Sequence, residues 1–216
     1  MLVSLLPILA ALLLGAMSPG PSFVLVTRTA VTQSRRNGLA AAIGMGVGGL
    51  FFGTLALLGL TALLAQVAWL NMALRLAGGL YLLYLAFRIW RGAGAPLTMM
   101  AGAAADEPAS SLGRAFAVAL ATQLSNPKTA VAYASIFAAL LPASAPSAQL
   151  LLVLPPLIFL IEAGWYTVVA LAFSLEGPRR AYIKAKRGID QVTGAVMGAL
   201  GLRLMVDALR DVGLAR

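Results

Sequence analysis

Apolar residues dominate six stretches of the chain, and polar residues collect in the segments between them. Each stretch is close to the length of about 20 residues that an α-helix needs to cross the hydrocarbon layer of a bilayer. The pattern predicts an all-α, polytopic membrane protein with six transmembrane helices. We place the spans at Leu2–Val26, Leu39–Ala65, Ala68–Ile89, Ala115–Leu141, Ala148–Phe173 and Ile189–Leu209.

Basic residues are concentrated in three of the polar connections, around Arg28–Gly38, Arg88–Arg114 and Leu175–Gly188. These connections hold most of the 16 Lys and Arg residues of the chain. Short loops rich in Lys and Arg stay on the cytoplasmic side of a membrane. We therefore expect these three connections in the cytoplasm and both termini on the outer face.

The first apolar run contains a strong helix breaker, Pro19-Gly20-Pro21, within the sequence "MSPGPSFVLV". Proline has no N–H to donate and its ring clashes with the preceding turn. Interrupted backbone at membrane depth is tolerated only inside protein or beside a water-filled cavity. The motif therefore predicts a broken first helix.

A second polar break lies in the fourth apolar run, where "QLSNPKTAVAY" contains Asn126, Pro127 and Lys128. Three spans separate the two breaks, and an odd number of spans places two repeats in opposite orientations. The chain is thus predicted to hold two inverted three-helix repeats with broken helices 1 and 4. They would be residues 1–91 and 114–216 of one membrane domain, joined by a Gly- and Pro-rich cytoplasmic linker over 92–113.

Broken helices of this kind expose backbone groups near the midplane, where a polar ligand can satisfy them. We therefore predict that both breaks form the substrate-binding site. The alternative is that both are plain proline kinks. The predicted substrate-binding residues are Pro19, Gly20, Pro21, Asn126, Pro127 and Lys128.

Glu162 stands in the long apolar sequence "PPLIFLIEAGWYTVVALAF". A carboxylate inside a membrane is costly unless it is paired, protonated or hydrated, so a functional role is the first interpretation. We predict that Glu162 couples transport to protons. The alternatives are a static salt bridge to Lys128 and a position close enough to the surface to reach water.

Composition changes this picture little but excludes several activities. Hydrophobic residues make up 61% of the chain and charged residues 11%, against about a quarter charged in soluble domains. With no Cys and no His, thiol redox chemistry, thiolate or imidazole metal sites and Ser–His catalysis are excluded. We expect no enzyme activity and no cofactor. The net charge of +9 is attributed to membrane orientation rather than to nucleic acid.

Several segments resemble the lysine exporter/homoserine–threonine resistance (LysE/RhtB) family of amino acid exporters. "SPGPSFVLV" followed by "RRNGLAAAIGMGVG" is similar to its opening signature, and "LSNPKTAV" is similar to its fourth-helix motif. "LRLAGGLYLLYLAFRIWR" and "RGIDQVTGAVMGALGLRLM" resemble its third and last helices. The resemblance implies export of amino acids or related metabolites across a bacterial inner membrane by proton antiport. It also implies the two break motifs as site positions. Many members have a polar or ionisable residue in the second span, but this chain has Gly48-Gly49-Leu50-Phe51-Phe52 there, and this departure leaves Glu162 as the only clear intramembrane acid.

Two further functions stay open at this point, a cation or heavy-metal exporter and a passive channel. A metal exporter would favour more intramembrane acids, Cys or His. A channel would show neither counterflow nor proton coupling. Glycines at four-residue spacing, Gly44 with Gly48 and Gly49 with Gly53, predict close helix packing, which could serve a homodimer as well as a monomer.

Overall fold

The computed structural model describes residues 2–60, 68–94, 111–141 and 147–213. Within these residues the backbone forms helices and no strand, which confirms the all-α prediction for this part of the chain. A π-helical turn, Ala56–Leu60, extends the third helix. The eight helices are α1 (Leu2–Met17), α2 (Pro21–Thr32), α3 (Arg35–Leu55), α4 (Ala68–Gly92), α5 (Leu112–Leu124), α6 (Pro127–Leu140), α7 (Ala148–Phe173) and α8 (Glu176–Gly213).

Both predicted breaks are present at the proline motifs. α1 ends at Met17, α2 begins at Pro21, and the chain bends by 59° between them. α5 ends at Leu124 and α6 begins at Pro127. Each new helix has proline at its first position, where a missing N–H costs nothing and the fixed φ angle suits a helix.

Glycines allow α3 to lie close against two neighbours. Gly44 and Gly48 face α5, where a Cβ on Gly44 would lie 2.5 Å from the carbonyl oxygen of Phe116. Gly49 and Gly53 face α7. The predicted packing role of these glycines is confirmed, and the contacts they make lie within one chain rather than between two.

α4 and α8 form the second close helix pair. A Cβ on Gly201 would lie 2.8 Å from the carbonyl oxygen of Gly79, so the two backbones meet at these glycines. Closer to the start of α8, Gly194 and Gly198 face Ala86 of α4. Small residues thus set the separation of both pairs, α3 with α7 and α4 with α8.

Three apolar clusters fill the interior of the described part of the chain, and Glu162 lies between the two larger ones along α7. One turn before it, Ile158 belongs to a cluster with Leu82 and Phe137. One turn after it, Tyr166 belongs to a cluster with Phe23. The side chain of Glu162 therefore has apolar clusters on both sides along α7, so its hydrogen-bond partners come from the facing helices.

The predicted count of six spans is matched only in part. By length and apolar composition, three described helices could cross a membrane, namely Arg35–Leu58, Ala148–Phe173 and Glu176–Arg210. The bent pair Leu5–Met17 and Pro21–Thr32 makes a fourth candidate. α4, and α5 with α6, correspond to the predicted spans Ala68–Ile89 and Ala115–Leu141, but they are not among these candidates.

Helix boundaries differ from the prediction wherever basic residues occur. Most of the expected connection Leu175–Gly188 is helical, because α8 already begins at Glu176. Arg28 lies inside α2, and α4 continues to Gly92. Lys and Arg are good helix formers, so a helix can extend past its apolar stretch. Most of the predicted linker, and the connections near Gln66 and before Ser147, fall outside the described residues.

Candidate functional site

The two breaks are joined directly by side chains. Asn126 caps the start of α6, where its Oδ1 accepts a hydrogen bond from the N–H of Lys128 at 3.0 Å. Its Nδ2 donates to Oγ of Ser22, the second residue of α2, also at 3.0 Å. One buried amide thus holds one half-helix in place and links it to the other.

A chain of hydrogen bonds continues from this link into the protein. Ser22 donates to Oε1 of Gln123 at 2.6 Å, and Nε2 of Gln123 donates to Oε2 of Glu162 at 3.4 Å. Because a backbone N–H can only donate, the cap fixes the direction of every later bond. All donors in the chain therefore point toward Glu162, which closes it as an acceptor.

Glu162 is 3% exposed. Besides the long contact with Gln123, its Oε1 accepts a hydrogen bond of 2.9 Å from the hydroxyl of Tyr133. The carboxyl group rests against α3, where a Cβ on Gly49 would lie 2.7 Å from Cγ of Glu162. Because Gly49 has no side chain, the carboxyl group of Glu162 has room to lie against α3.

Lys128 extends toward the other break rather than toward Glu162. Its Nζ donates to the carbonyl oxygens of Ser18 at 3.1 Å and Gly15 at 3.4 Å. These carbonyls lie at the end of α1, where the helix dipole is negative and a cation is stabilising. The salt bridge to Glu162 that the sequence left open does not form, since the ammonium group has this different partner.

Three more side chains occupy the carbonyl groups at the end of α1. Trp165 donates to Ala16 at 3.1 Å and Tyr182 to Met17 at 2.9 Å. Thr193 donates to Leu14 at 3.3 Å. Helix ends leave four carbonyls without an intrahelical partner, and here α6, α7 and α8 supply the donors. Side chains of three other helices thus stabilise the end of α1 at the break.

A small cavity of about 40 Å³ lies beside the hydrogen-bond chain. It has room for two or three water molecules, at about 10–15 Å³ of such volume each. An amino acid would not fit. Its polar lining includes Ser22, Gln123, Asn126, Tyr133, Glu162 and Tyr166.

A wider cavity of about 350 Å³ lies on the other side of the breaks, and we call it the vestibule. Its volume is within the range of about 300–1,000 Å³ typical of small-molecule sites. Ser18, Gly20, Asn126 and Lys128 line both cavities, so the breaks separate the two. The other polar residues of the vestibule are Tyr81, Tyr84, Arg88, Lys186 and Asp190.

All six residues predicted to bind substrate line the vestibule, whereas Glu162 lines the small cavity. Gly20, Asn126 and Lys128 also line the small cavity, so the geometry brings the two proline motifs together and places Glu162 next to them but outside the vestibule. The hydrogen-bond chain through Gln123 and Ser22 connects the two groups.

Sequence reasoning missed several residues of this region. Gln123 and Tyr133 were not predicted as site residues, because the sequence signal came from the proline motif that lies between them. Glu162 is also not the single buried acid. Asp190 is 3% exposed and pairs with Lys186 across one helical turn, at 2.8 Å. Opposite charges four residues apart, at the edge of an apolar span, were the available signal.

Comparison with known proteins finds similar sequences over most of the chain. The family described as LysE type translocator matches residues 13–208. A threonine efflux protein of Salmonella typhi is 35% identical over 193 residues, 88% of this chain and 91% of the relative. The threonine efflux protein of Escherichia coli K12 is 32% identical over 206 residues, 95% of this chain and 99% of the relative.

A leucine efflux protein of Salmonella choleraesuis is 34% identical over 128 residues, 59% of this chain and 58% of the relative. No solved structure is significantly similar to the chain. The family match extends over nearly the whole length, and its members are translocators, which confirms the prediction of a membrane transporter rather than an enzyme. The chain belongs to the LysE type translocator family.

Proposed function

We propose that this protein exports amino acids with uncharged side chains, such as threonine, across the bacterial inner membrane in exchange for protons. The observation that carries the proposal is the meeting of two broken helices at a vestibule of about 350 Å³. The efflux proteins of threonine and leucine among its relatives support the choice of substrate class.

The start of α2 is the best place for the substrate carboxylate. The N-cap residue of α2, Gly20, supplies no capping side chain, whereas α6 is already capped by Asn126. An uncapped helix start offers free N–H groups and the positive end of the helix dipole. The ammonium group of Lys128 lies beside it, since a Cβ on Gly20 would be 3.4 Å from Nζ. A carboxylate there would meet both.

Proton coupling is assigned to Glu162. Both of its oxygens accept hydrogen bonds, and the small cavity beside it can hold water. A proton entering on Oε1 would make this oxygen a donor and turn the Tyr133 hydroxyl into an acceptor. Because Gln123 and Ser22 connect Glu162 to the Asn126 cap, a change of charge at Glu162 acts on the breaks. Alternating access then exchanges a proton for a substrate molecule.

The six-span, inverted-repeat topology is part of the same proposal. When Pro21 is matched with Pro127, Ser22 corresponds to Lys128 and Gly20 to Asn126. Ser22 contacts Asn126, and in the matching way Lys128 lies against Gly20. The pairs α3 with α7 and α4 with α8 also join corresponding helices of the two halves. Residues 1–91 and 114–216 would be the repeats, and 92–113 a cytoplasmic linker.

Counterflow in proteoliposomes tests the transport activity. Vesicles loaded with unlabelled L-threonine should take up labelled L-threonine faster than empty vesicles. Asn126→Ala should reduce this exchange strongly, because both the α6 cap and the link to Ser22 are lost. Ser147→Ala is the matched control, since Ser147 caps α7 at an exposed position. Flux without counterflow would indicate a channel and contradict the proposal.

A further inference from the structure

The vestibule contains one acidic side chain among the described residues that line it, Asp190. Its Oδ2 accepts a hydrogen bond from Nζ of Lys186 at 2.8 Å. Its Oδ1 is buried and has no hydrogen-bond partner in the described part of the chain. A buried carboxylate oxygen without a partner is costly, and in a native protein it is explained by strain, by a functional role or by a bound water, ion or ligand.

Lys186 is fixed by more than this one contact. Its ammonium group also donates to the carbonyl oxygen of Gly92, at the end of α4, at 3.1 Å. The Lys186–Asp190 pair therefore has a set position between α4 and α8, and the free oxygen of Asp190 is held with it. Oδ1 exposes almost no surface, so a ligand in the vestibule reaches it only after a small rotation of the Asp190 carboxylate.

The other charged side chains of the vestibule are cationic. They are Arg88, Lys128 and Lys186, and Lys186 is the one paired with Asp190. Arg88 donates to the Tyr84 hydroxyl at 3.3 Å, while Lys128 lies beside the start of α2. The cavity thus offers two cationic groups that have no acidic partner among the described residues, and one carboxylate that can accept from an ammonium group.

We propose that Asp190 binds the α-ammonium group of the substrate through Oδ1, so that the vestibule accepts zwitterionic amino acids and excludes those with a cationic side chain. The inference rests on the proposed function, because the carboxylate is taken to lie at the start of α2. The α-ammonium group finds its partner in Asp190. A second ammonium or guanidinium group, as in lysine or arginine, finds no acceptor and is repelled by Arg88 and Lys128.

Binding to the purified full-length protein tests this assignment separately from transport. Titration calorimetry should detect L-threonine and show binding of L-lysine weaker by at least about tenfold. Asp190→Asn should weaken L-threonine by about 10- to 100-fold, the effect of a lost hydrogen bond to a charged group. N-acetyl-L-threonine has no ammonium group, so its affinity should be equal in wild type and Asp190→Asn.

Two variants serve as controls. Asp207→Asn removes the acid of another i,i+4 ion pair on α8, Arg203–Asp207 at 3.7 Å, which is largely exposed; its affinity for L-threonine should match wild type. Lys186→Gln combined with Asp190→Asn leaves no unpaired buried charge. It should fold and still show the loss of L-threonine binding.

Unchanged L-threonine affinity in Asp190→Asn would overturn the inference, as would equal losses for L-threonine and its N-acetyl derivative. Equal affinity of the wild type for L-lysine and L-threonine, or no binding of L-threonine, would also overturn it. Transport that continues unaltered in Asp190→Asn would remove the inference and leave the proposed function. Threonine binding with the expected Asp190 dependence, but without transport, would support the binding role of Asp190 and overturn the proposed transport.

Discussion

Asn126 donates a hydrogen bond of 3.0 Å to Ser22, and this contact joins the two broken helices of the protein. The same Asn126 side chain caps α6 through its oxygen. One amide group thus caps α6 and also binds α2. Asparagine is suited to this position because its side chain both accepts and donates.

Asn126→Asp separates these two tasks. An aspartate oxygen can still accept from the Lys128 N–H, so the α6 cap should be kept, while the lost hydrogen bond and the buried charge should lower the melting temperature. Aspartate cannot donate to Ser22, so the exchange of labelled threonine should fall at least about tenfold, as for a lost buried hydrogen bond of about 1.4 kcal/mol. Thermal unfolding in detergent and counterflow in proteoliposomes measure the two effects. A variant with wild-type exchange would show that the link to Ser22 does not matter.

Glu162→Gln should disconnect exchange from the proton gradient. Glutamine keeps the size of the side chain and an oxygen that can accept from Gln123, so threonine counterflow should continue. Because the amide cannot take up a proton, accumulation driven by a pH gradient should disappear. Glu176→Gln is the control, since Glu176 forms an exposed ion pair with Arg180. If Glu162→Gln still accumulates threonine with unchanged pH dependence, another group carries the proton.

Gly49→Ala should destabilise the protein by about 1–3 kcal/mol, the usual cost of overpacking a tight contact. The added Cβ would lie 2.7 Å from Glu162 Cγ and 3.0 Å from the Tyr133 hydroxyl. Gly164→Ala is the matched control on α7, where a Cβ meets nothing within 4 Å. That variant should gain about 0.5–1 kcal/mol from helix propensity. If both variants shifted the melting temperature in the same direction relative to wild type, this packing would be contradicted.

Lys128→Met should cost about 1.5–3 kcal/mol, because the carbonyl groups of Gly15 and Ser18 lose a charged donor. Tyr182→Phe removes a neutral donor from Met17 at the same helix end. It should cost only about 0.5–1.5 kcal/mol. Thermal unfolding of both variants shows which substitution costs more stability. A smaller loss for Lys128→Met than for Tyr182→Phe would show that Lys128 does not stabilise the end of α1.

Local motifs made part of this structure predictable from sequence. Proline strictly limits helices, so both breaks could be placed to within a few residues, and glycine spacing indicated the close helix pairs. Glu162 stood out because few carboxylates occur in apolar runs. Each of these signals depends on one residue and its immediate neighbours.

Residues that act through distant partners could not be found in this way. Ser22 and Gln123 are ordinary polar residues until the fold brings them together, 101 positions apart in sequence, at 2.6 Å. Asp190 was placed at the start of the last predicted span, next to basic residues that were assigned to a connection but lie in α8. Charge alone does not tell where a helix leaves the membrane, because Lys and Arg side chains can extend to its surface.

Accumulation of labelled L-threonine in liposomes with an acidic interior tests the central claim most directly. Molecules inserted with the cytoplasmic face outward should move threonine inward as protons leave, so the internal concentration should rise above the external one. Collapse of the pH gradient by a protonophore should abolish the rise. Equilibration of threonine that is indifferent to the gradient, or no uptake of any amino acid with an uncharged side chain, would contradict proton-coupled amino acid export.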